Sequence, residues 1–237
     1  MLKEKVCFKV FSDNIYIENL EDFSKSFYYE WKAESPFCLF PGNGSDYLWD
    51  MEQSALYVRE HPDECLWMDG NGKYYLGIHF PADIAVRYDP DGLRKWFRKL
   101  SSLENDNERD KCIRQEIGSY FIKEKMHPVL LEAIEEICKE NGQIAVEDLM
   151  GKFSYDYSMR QVERIFKDAY GYGPKFFCRK ERLLYMIEFL LADSKENIAV
   201  EAIEAGYSDR AHFQREFKKF MGMTPGQFVE KRLLFKC

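Results

Sequence analysis

Apolar positions in the last third of the chain recur at helical spacing. Phe213, Phe217 and Phe220 fall on one face of a helix expected over about Arg210 to Met221. Gly222 ends that helix, and Pro225, after Thr224 as N-cap, opens the last one. Upstream, Ile198 to Ala205 reads as a short helix, Gly206-Tyr207-Ser208 as a turn, and Asp209 as the N-cap of the next helix. A second arrangement of this kind precedes it. Ala145 to Lys152 is its first helix, and Ser158 caps its second, with Val162, Ile165, Phe166 and Ala169 facing inward. Between the two, Pro174 to about Asp193 is expected to form one amphipathic helix, with Phe176, Phe177, Leu183, Leu184, Met186, Ile187 and Leu190 as its apolar positions. About twenty residues at 1.5 Å each give a rod of roughly 30 Å.

The first hundred residues are patterned differently. Leu20, Phe23, Phe27 and Trp31 stand at helical spacing, which predicts a helix over Asn19 to Lys32. After Pro36 come short apolar runs: Phe37 to Phe40, Tyr47 to Trp49, Ala55 to Val58, Cys65 to Met68, and Tyr74 to Phe80. Gly, Pro, Asn and Asp separate them, as in Pro41-Gly42-Asn43-Gly44 and Asp69-Gly70-Asn71-Gly72, which predicts a small β-sandwich or barrel. Leu93 to Leu100 is helical in pattern, and the polar stretch Ser101 to Asp110 is the expected boundary. From Asp110 to Lys125, Ile113, Ile117, Phe121 and Ile122 form an apolar stripe, open to two readings: packing on its own half, or contact with a second copy.

The two C-terminal arrangements are copies of one unit. Arg164, Phe166, Lys167, Gly171, Pro174 and Phe177 recur as Arg215, Phe217, Lys218, Gly222, Pro225 and Phe228, each offset by 51 residues. Each copy follows the order helix, turn, capped helix, which is that of a helix-turn-helix. The outward face of the first capped helix holds Met159, Arg160, Gln161, Arg164 and Lys167. That of the second holds Arg210, Ala211, Gln214, Arg215, Lys218 and Lys219. Guanidinium, ammonium and amide groups on one helical face suit phosphates and the base edges of a major groove. One turn of B-DNA is roughly 34 Å, so a 30 Å rod would set the two capped helices in successive grooves.

From about His127 to Cys237 the chain resembles the DNA-binding domain of AraC/XylS-type transcription regulators. The matching residues are Ala202, Gly206-Tyr207-Ser208-Asp209, Phe213, Arg215, Phe217-Lys218, Gly222 and Thr224-Pro225, with Arg164, Phe166-Lys167, Gly171, Pro174 and Arg182-Leu183 in the first copy. Two departures stand out. Glu201 occupies a position the family fills with an aliphatic residue, and the turn Phe153 to Tyr157 lacks a glycine and is about two residues long for its type. Leu39-Phe40-Pro41-Gly42 and Gly77-Ile78-His79-Phe80-Pro81 resemble the cupin-like N-terminal domains of one subgroup. The expected architecture is α+β in two domains. Residues 1–103 would form a β-rich sensory or dimerisation domain able to fold alone, 104–126 a linker with an amphipathic helix, and 127–237 an all-α domain with two helix-turn-helix units. The resemblance implies double-stranded promoter or operator DNA and RNA polymerase as partners. It leaves open a small-molecule effector, a homodimer, and activation or repression, and it implies neither catalysis nor a cofactor.

Charge sharpens this picture. The formal net charge is −7, unusual for a DNA binder until it is divided. Residues 1–126 hold 17 Lys/Arg against 23 Asp/Glu, and residues 127–237 hold 17 against 18. Within the second half, Ser158 to Arg182 and Asp209 to Cys237 each carry seven bases against three acids, a net of +4. DNA responds to charge on the docking face more than to the whole-chain total. Seven cysteines without a C-x-x-C pair argue against a disulfide or zinc framework. The start Met1-Leu2-Lys3-Glu4-Lys5 lacks the apolar core of a secretion signal, and no apolar stretch approaches the roughly 20 residues of a membrane span. A reducing, cytoplasmic setting is expected.

Other chemistry is sparse. His61 and His79 stand outside any metal-ligand spacing, so structural roles are expected of them. Cys38, beside the Pro41-Gly42 turn, is a candidate redox or alkyl acceptor with no neighbour in sequence to activate it. Glu52, Glu60 and Glu64 form no recognisable acid/base pair, and no phosphate loop or nucleophile elbow occurs. Trp31, Trp49, Trp67 and Tyr75 suit an aromatic core or an effector pocket. Lys175, Arg179 and Lys180 are expected at phosphate or solvent, and Arg182 in an internal ion pair. The competing functional readings are an interaction protein whose first unit no longer reads DNA, and an enzyme in the N-terminal half.

Overall fold

The structure, a computed structural model, describes residues 16–19, 26–33, 36–153, 157–192 and 197–234. Strands β1 (Tyr16–Asn19), β2 (Phe27–Ala33), β4 (Ser45–Asp50), β5 (Ala55–Glu60) and β7 (Lys73–Phe80) form one antiparallel sheet in the order β1-β2-β7-β4-β5. Strands β3 (Phe37–Leu39) and β6 (Leu66–Met68) pair separately, as do β8 (Val86–Tyr88) and β9 (Phe121–Lys123). The helix expected over Asn19 to Lys32 is replaced, from Phe27 onward, by strand β2; Leu20 and Phe23 lie outside the described residues. Two periods coexist in that segment. Phe27 and Trp31 suit a helix, but Phe27, Tyr29, Trp31 and Ala33 also alternate, and pairing with β7 on a sheet covered on both faces decides for the strand.

Alternation then sorts the aromatic residues onto two faces. Tyr28, Tyr47, Trp49, Leu76, Ile78 and Phe80 point to one side, where helices α1 (Pro90–Ser101) and α2 (Asp106–Tyr120) cover them with Leu93, Trp96, Phe97, Ile113 and Ile117. Tyr29 lies opposite Gly77 in the register, and a Cβ on Gly77 would stand 2.1 Å from its ring, so only glycine lets the ring lie across β7. The polar stretch expected as a boundary turns back onto this layer. Asn105 caps α2, and Arg109 grips Glu30 of β2 through two bonds, Nε to Oε2 at 2.9 Å and Nη2 to Oε1 at 2.8 Å. The stripe of Ile113, Ile117 and Phe121 packs within its own half, while Ile122 is exposed.

The other face continues into the helical half. Phe27, Tyr29, Trp31, Leu48 and Tyr75 share one apolar cluster with Phe37, Cys38, Leu39 and Phe40, and also with residues of α6 (Pro174–Leu191), α7 (Ile198–Glu204), α8 (Arg210–Met221) and α9 (Pro225–Leu234). Phe40 meets Phe228 edge-on at 5.9 Å. A third cluster gathers α3 (Pro128–Lys139), α4 (Val146–Phe153) and α5 (Met159–Tyr170) around the start of α6. Among the described residues no helix is long and apolar enough to cross a membrane.

Candidate nucleic-acid interface

Helices α5 and α8 are built from the same parts. Each has twelve residues. Ser158 caps α5 by accepting from the Gln161 N–H, with Gln161 reaching back to close a capping box; Asp209 caps α8 by accepting from the His212 N–H at 2.7 Å. Each ends on a glycine in the left-handed region, Gly171 at φ 79° and Gly222 at φ 71°, where a side chain would be strained. Val162 and Phe166 bury one face of α5, and Phe213, Phe217 and Phe220 one face of α8. Ala169, expected inward, is exposed instead. The stripe steps four residues from Phe166 to Tyr170, whose ring packs 5.1 Å from Phe177. Its repeat partner Phe220 is buried because the β-rich half docks there, with the Cys65 N–H donating to the Phe220 carbonyl at 3.1 Å.

All eleven residues expected to face DNA are exposed: Met159, Arg160, Gln161, Arg164 and Lys167 on α5, and Arg210, Ala211, Gln214, Arg215, Lys218 and Lys219 on α8. Gln161 spends its carbonyl oxygen on the cap, leaving its amide N–H groups outward. Two residues were missed. Glu163 is exposed at the position equivalent to Gln214, and the 51-residue offset points to it. His212, in the first turn of α8, stands beside Ser208 Oγ at 3.1 Å. The helices differ in charge. Glu216, the one acidic residue of α8, turns inward and pairs with Arg179 of α6 at 2.7 Å, so the outward residues of α8 are cationic or neutral. α5 exposes Glu163 and Asp168 among its bases.

Helix α6 ties the two units together. Its eighteen residues span about 27 Å. Arg182 donates to the Gly206 carbonyl in the turn of the second unit and to the Gly142 carbonyl ahead of α4, both at 3.0 Å. It is half-buried, and the partners that hold it are these carbonyls and not the carboxylate of the expected internal ion pair. Tyr185 donates to Glu201, which explains how a buried carboxylate is tolerated in α7. Lys175 is exposed and Arg179 partly exposed beside its Glu216 partner, whereas Lys180 is not where a phosphate could meet it. Lys180 is fully buried against the β-rich half, donating to the His61 carbonyl at 2.6 Å and pairing with Asp63 at 2.6 Å, its amine pulled down to about 8 by burial. Beside it, Asn43 donates to the Phe177 carbonyl at 3.1 Å and to Glu181 at 2.9 Å. Sequence spacing cannot place such contacts, since they join loops to a helix more than a hundred residues away. Ser154, Tyr155 and Asp156 of the lengthened first turn lie outside the described residues.

The remaining candidates resolve simply. His61 Nδ1 lies 2.8 Å from the Asn43 carbonyl, and His79 Nδ1 2.8 Å from Asp46. Glu60 accepts from Tyr47. Trp31, Trp49 and Tyr75 are core, and Trp67 borders a cavity of about 870 Å³ between residues 64–67 and the end of α8 with α9. Among the described residues no group of three or more His, Cys, Asp or Glu is placed to hold a metal ion.

Comparison with known proteins agrees with the helix-turn-helix reading of the C-terminal half. A helix-turn-helix domain family model matches residues 154–231. The virulence regulon transcriptional activator VirF of Yersinia enterocolitica is 30% identical over 80 residues, 33% of this chain and 29% of its own, so the chain spans under a third of that relative. The probable transcription factor PqrA of Proteus vulgaris is 33% identical over 101 residues, 43% of this chain and 80% of its own. Among solved structures, ToxT from Vibrio cholerae aligns over 93% of this chain and 94% of its own, at 10% identity and a TM-score of 0.44. On the match to four-fifths of PqrA and the paired units, each with a side-chain cap and a left-handed glycine stop, the chain belongs to the AraC/XylS-type transcription regulators.

Proposed function

We propose that this chain is a sequence-specific DNA-binding regulator of transcription that lays α5 and α8 into two successive major grooves of one duplex. The observation that carries the reading is the 51-residue repeat of N-cap, twelve-residue helix and left-handed glycine, with the basic residues of both copies exposed. Arg164 and Arg215 are equivalent positions suited to bidentate contact with guanine or to a phosphate clamp. The amides of Gln161 and Gln214 suit adenine, and the Glu163 carboxylate suits the amino group of cytosine. Lys167, Lys218 and Lys219 neutralise phosphates, so affinity falls steeply with salt. Arg182 and the Arg179–Glu216 pair fix the second unit to α6 and so set the separation of the two readers.

In this reading promoter DNA is the partner and RNA polymerase acts beside it in the cytoplasm; a small-molecule effector or a second copy would act through the β-rich half. Residues 1–103, with the 104–126 segment that packs on them, are the piece we assign to sensing or self-association, and 127–237 the piece we assign to reading. The cationic outward residues of α8, against the mixed charges of α5, favour a second arrangement in which α8 alone is inserted deeply. Genome-wide mapping of bound fragments, followed by footprinting, tests both. Two protected segments about one helical turn apart support paired reading. One segment of about five base pairs leaves α8 as the sole reader. No sequence preference at any salt concentration overturns the proposal.

A further inference from the structure

Two of the seven cysteines are brought together by the β3–β6 ribbon. Cys38 lies opposite Trp67 in the register, and Cys65, two residues before Trp67, falls on the same face. The Cys38 thiol, which also faces the Leu39 carbonyl at 3.5 Å, and the Trp67 indole stand where they can donate to the Cys65 sulfur. The Arg59 guanidinium, buried and held by the carbonyls of Leu39, Phe40 and Glu64, adds a fixed positive charge nearby. Donors and a cation around one sulfur favour its thiolate, and the Cys65 thiol is pulled down to about 7. Cys65 is only half-buried and lines the 870 Å³ cavity, so a small reagent can reach it. Cys38 is buried behind it.

We propose that Cys65 and Cys38 form a reactive thiol pair that a hydroperoxide converts to a disulfide. The Cys65 thiolate attacks the peroxide, so that an S–O bond forms and the O–O bond breaks. The departing oxygen takes a proton and leaves as water or an alcohol. The Cys38 sulfur then attacks the Cys65 sulfur; the S–S bond forms, the S–O bond breaks, and hydroxide leaves as water with the Cys38 proton. Two thiols and one hydroperoxide give one disulfide, one water and one alcohol or second water.

The pair is joined to the second reader. Cys65 donates through its N–H to the Phe220 carbonyl and, in its protonated form, through its S–H to the Met221 carbonyl, each at 3.1 Å, at the last turn of α8. Oxidation removes the S–H donor and draws the sulfur toward β3, loosening that turn. This coupling to DNA rests on the function proposed above; the thiol chemistry does not.

The test uses the full-length reduced chain. At pH 7 iodoacetamide should label Cys65 roughly tenfold faster than Cys112, whose thiol is pushed up by burial and by Glu116. One equivalent of hydrogen peroxide should then lower the intact mass by two hydrogens, and peptide mapping should join Cys38 to Cys65. Cys38→Ser should stop at a Cys65 sulfenic acid that dimedone traps, and Cys65→Ser should give neither product. Equal labelling of Cys65 and Cys112, or a disulfide joining other cysteines, overturns the pair. Hydrogen exchange at Lys218 to Gly222 should rise several-fold on oxidation, and unchanged exchange overturns the coupling while leaving the chemistry to be judged by mass.

Discussion

Arg215 stands exposed near the middle of α8, while its neighbour Glu216 is turned inward onto Arg179; the Asp209 cap lies within electrostatic reach of the guanidinium. Arg215→Ala should cost about 1–3 kcal/mol of specific binding and relax preference at one or two base pairs. Equal loss on every sequence would instead mark a phosphate contact, and no loss would take the residue out of the interface. Lys180 gives a different test, because its amine is held down to about 8 in the folded chain, against about 10.4 when unfolded. Between those values the unfolded chain binds the extra proton, so the stability contributed here rises as pH climbs through the window. Compared with Lys180→Met, the wild-type melting temperature should gain steadily from pH 8 to 10; parallel curves would refute the assignment. The arginine was legible in the sequence because a helical face is local. The lysine was not, because its burial depends on Gly42, His61 and Asp63, which no spacing rule brings to α6.

At the scale of the element, α6 acts as a spacer held by specific bonds near its middle. Arg182 reaches carbonyls of both units, and Gly142 lies so close to α6 that a Cβ there would meet the Cys178 carbonyl at 2.1 Å. Readers held this way should tolerate little change in their separation. Five base pairs inserted between the two half-sites turn one groove away by about half a turn, and binding should collapse. Ten restore the face but not the reach. Arg182→Ala should soften the penalty of a one-base-pair insertion while leaving contacts within each half-site intact, measured as the ratio of affinities for the two spacings. A ratio unchanged from wild type would remove Arg182 from that role. The punctuation of α5 and α8 was readable in full, since Gly171, Pro174, Gly222 and Pro225 act within a few residues of themselves. Strand β2 was not, because a segment covered on both faces loses the polar alternation that marks a strand.

For the whole molecule, the decisive feature is that one apolar cluster belongs to both halves. Residues 127–237 produced alone would uncover Phe228 and Phe220, so that fragment should melt below the intact chain and bind a hydrophobic dye. An unchanged melting temperature without dye binding would show that the halves stabilise each other little. The matching N-terminal fragment should end near residue 126 and not at 103, since α2 and β9 complete its first core. The sequence announced two apolar sets but not their union, because the contacts that join them are separated by most of the chain. That union also sets an order of events at the ribosome. Phe40 emerges long before its partner Phe228. At 5–20 residues per second, about five to twenty seconds separate the end of β7 from the start of α6, the first of the helices that cover this face. Throughout that interval the growing polypeptide carries one greasy sheet face with nothing to close it. Synthesis of this regulator should therefore depend on holding chaperones, and premature termination within α9 should yield aggregates and not a shortened reader.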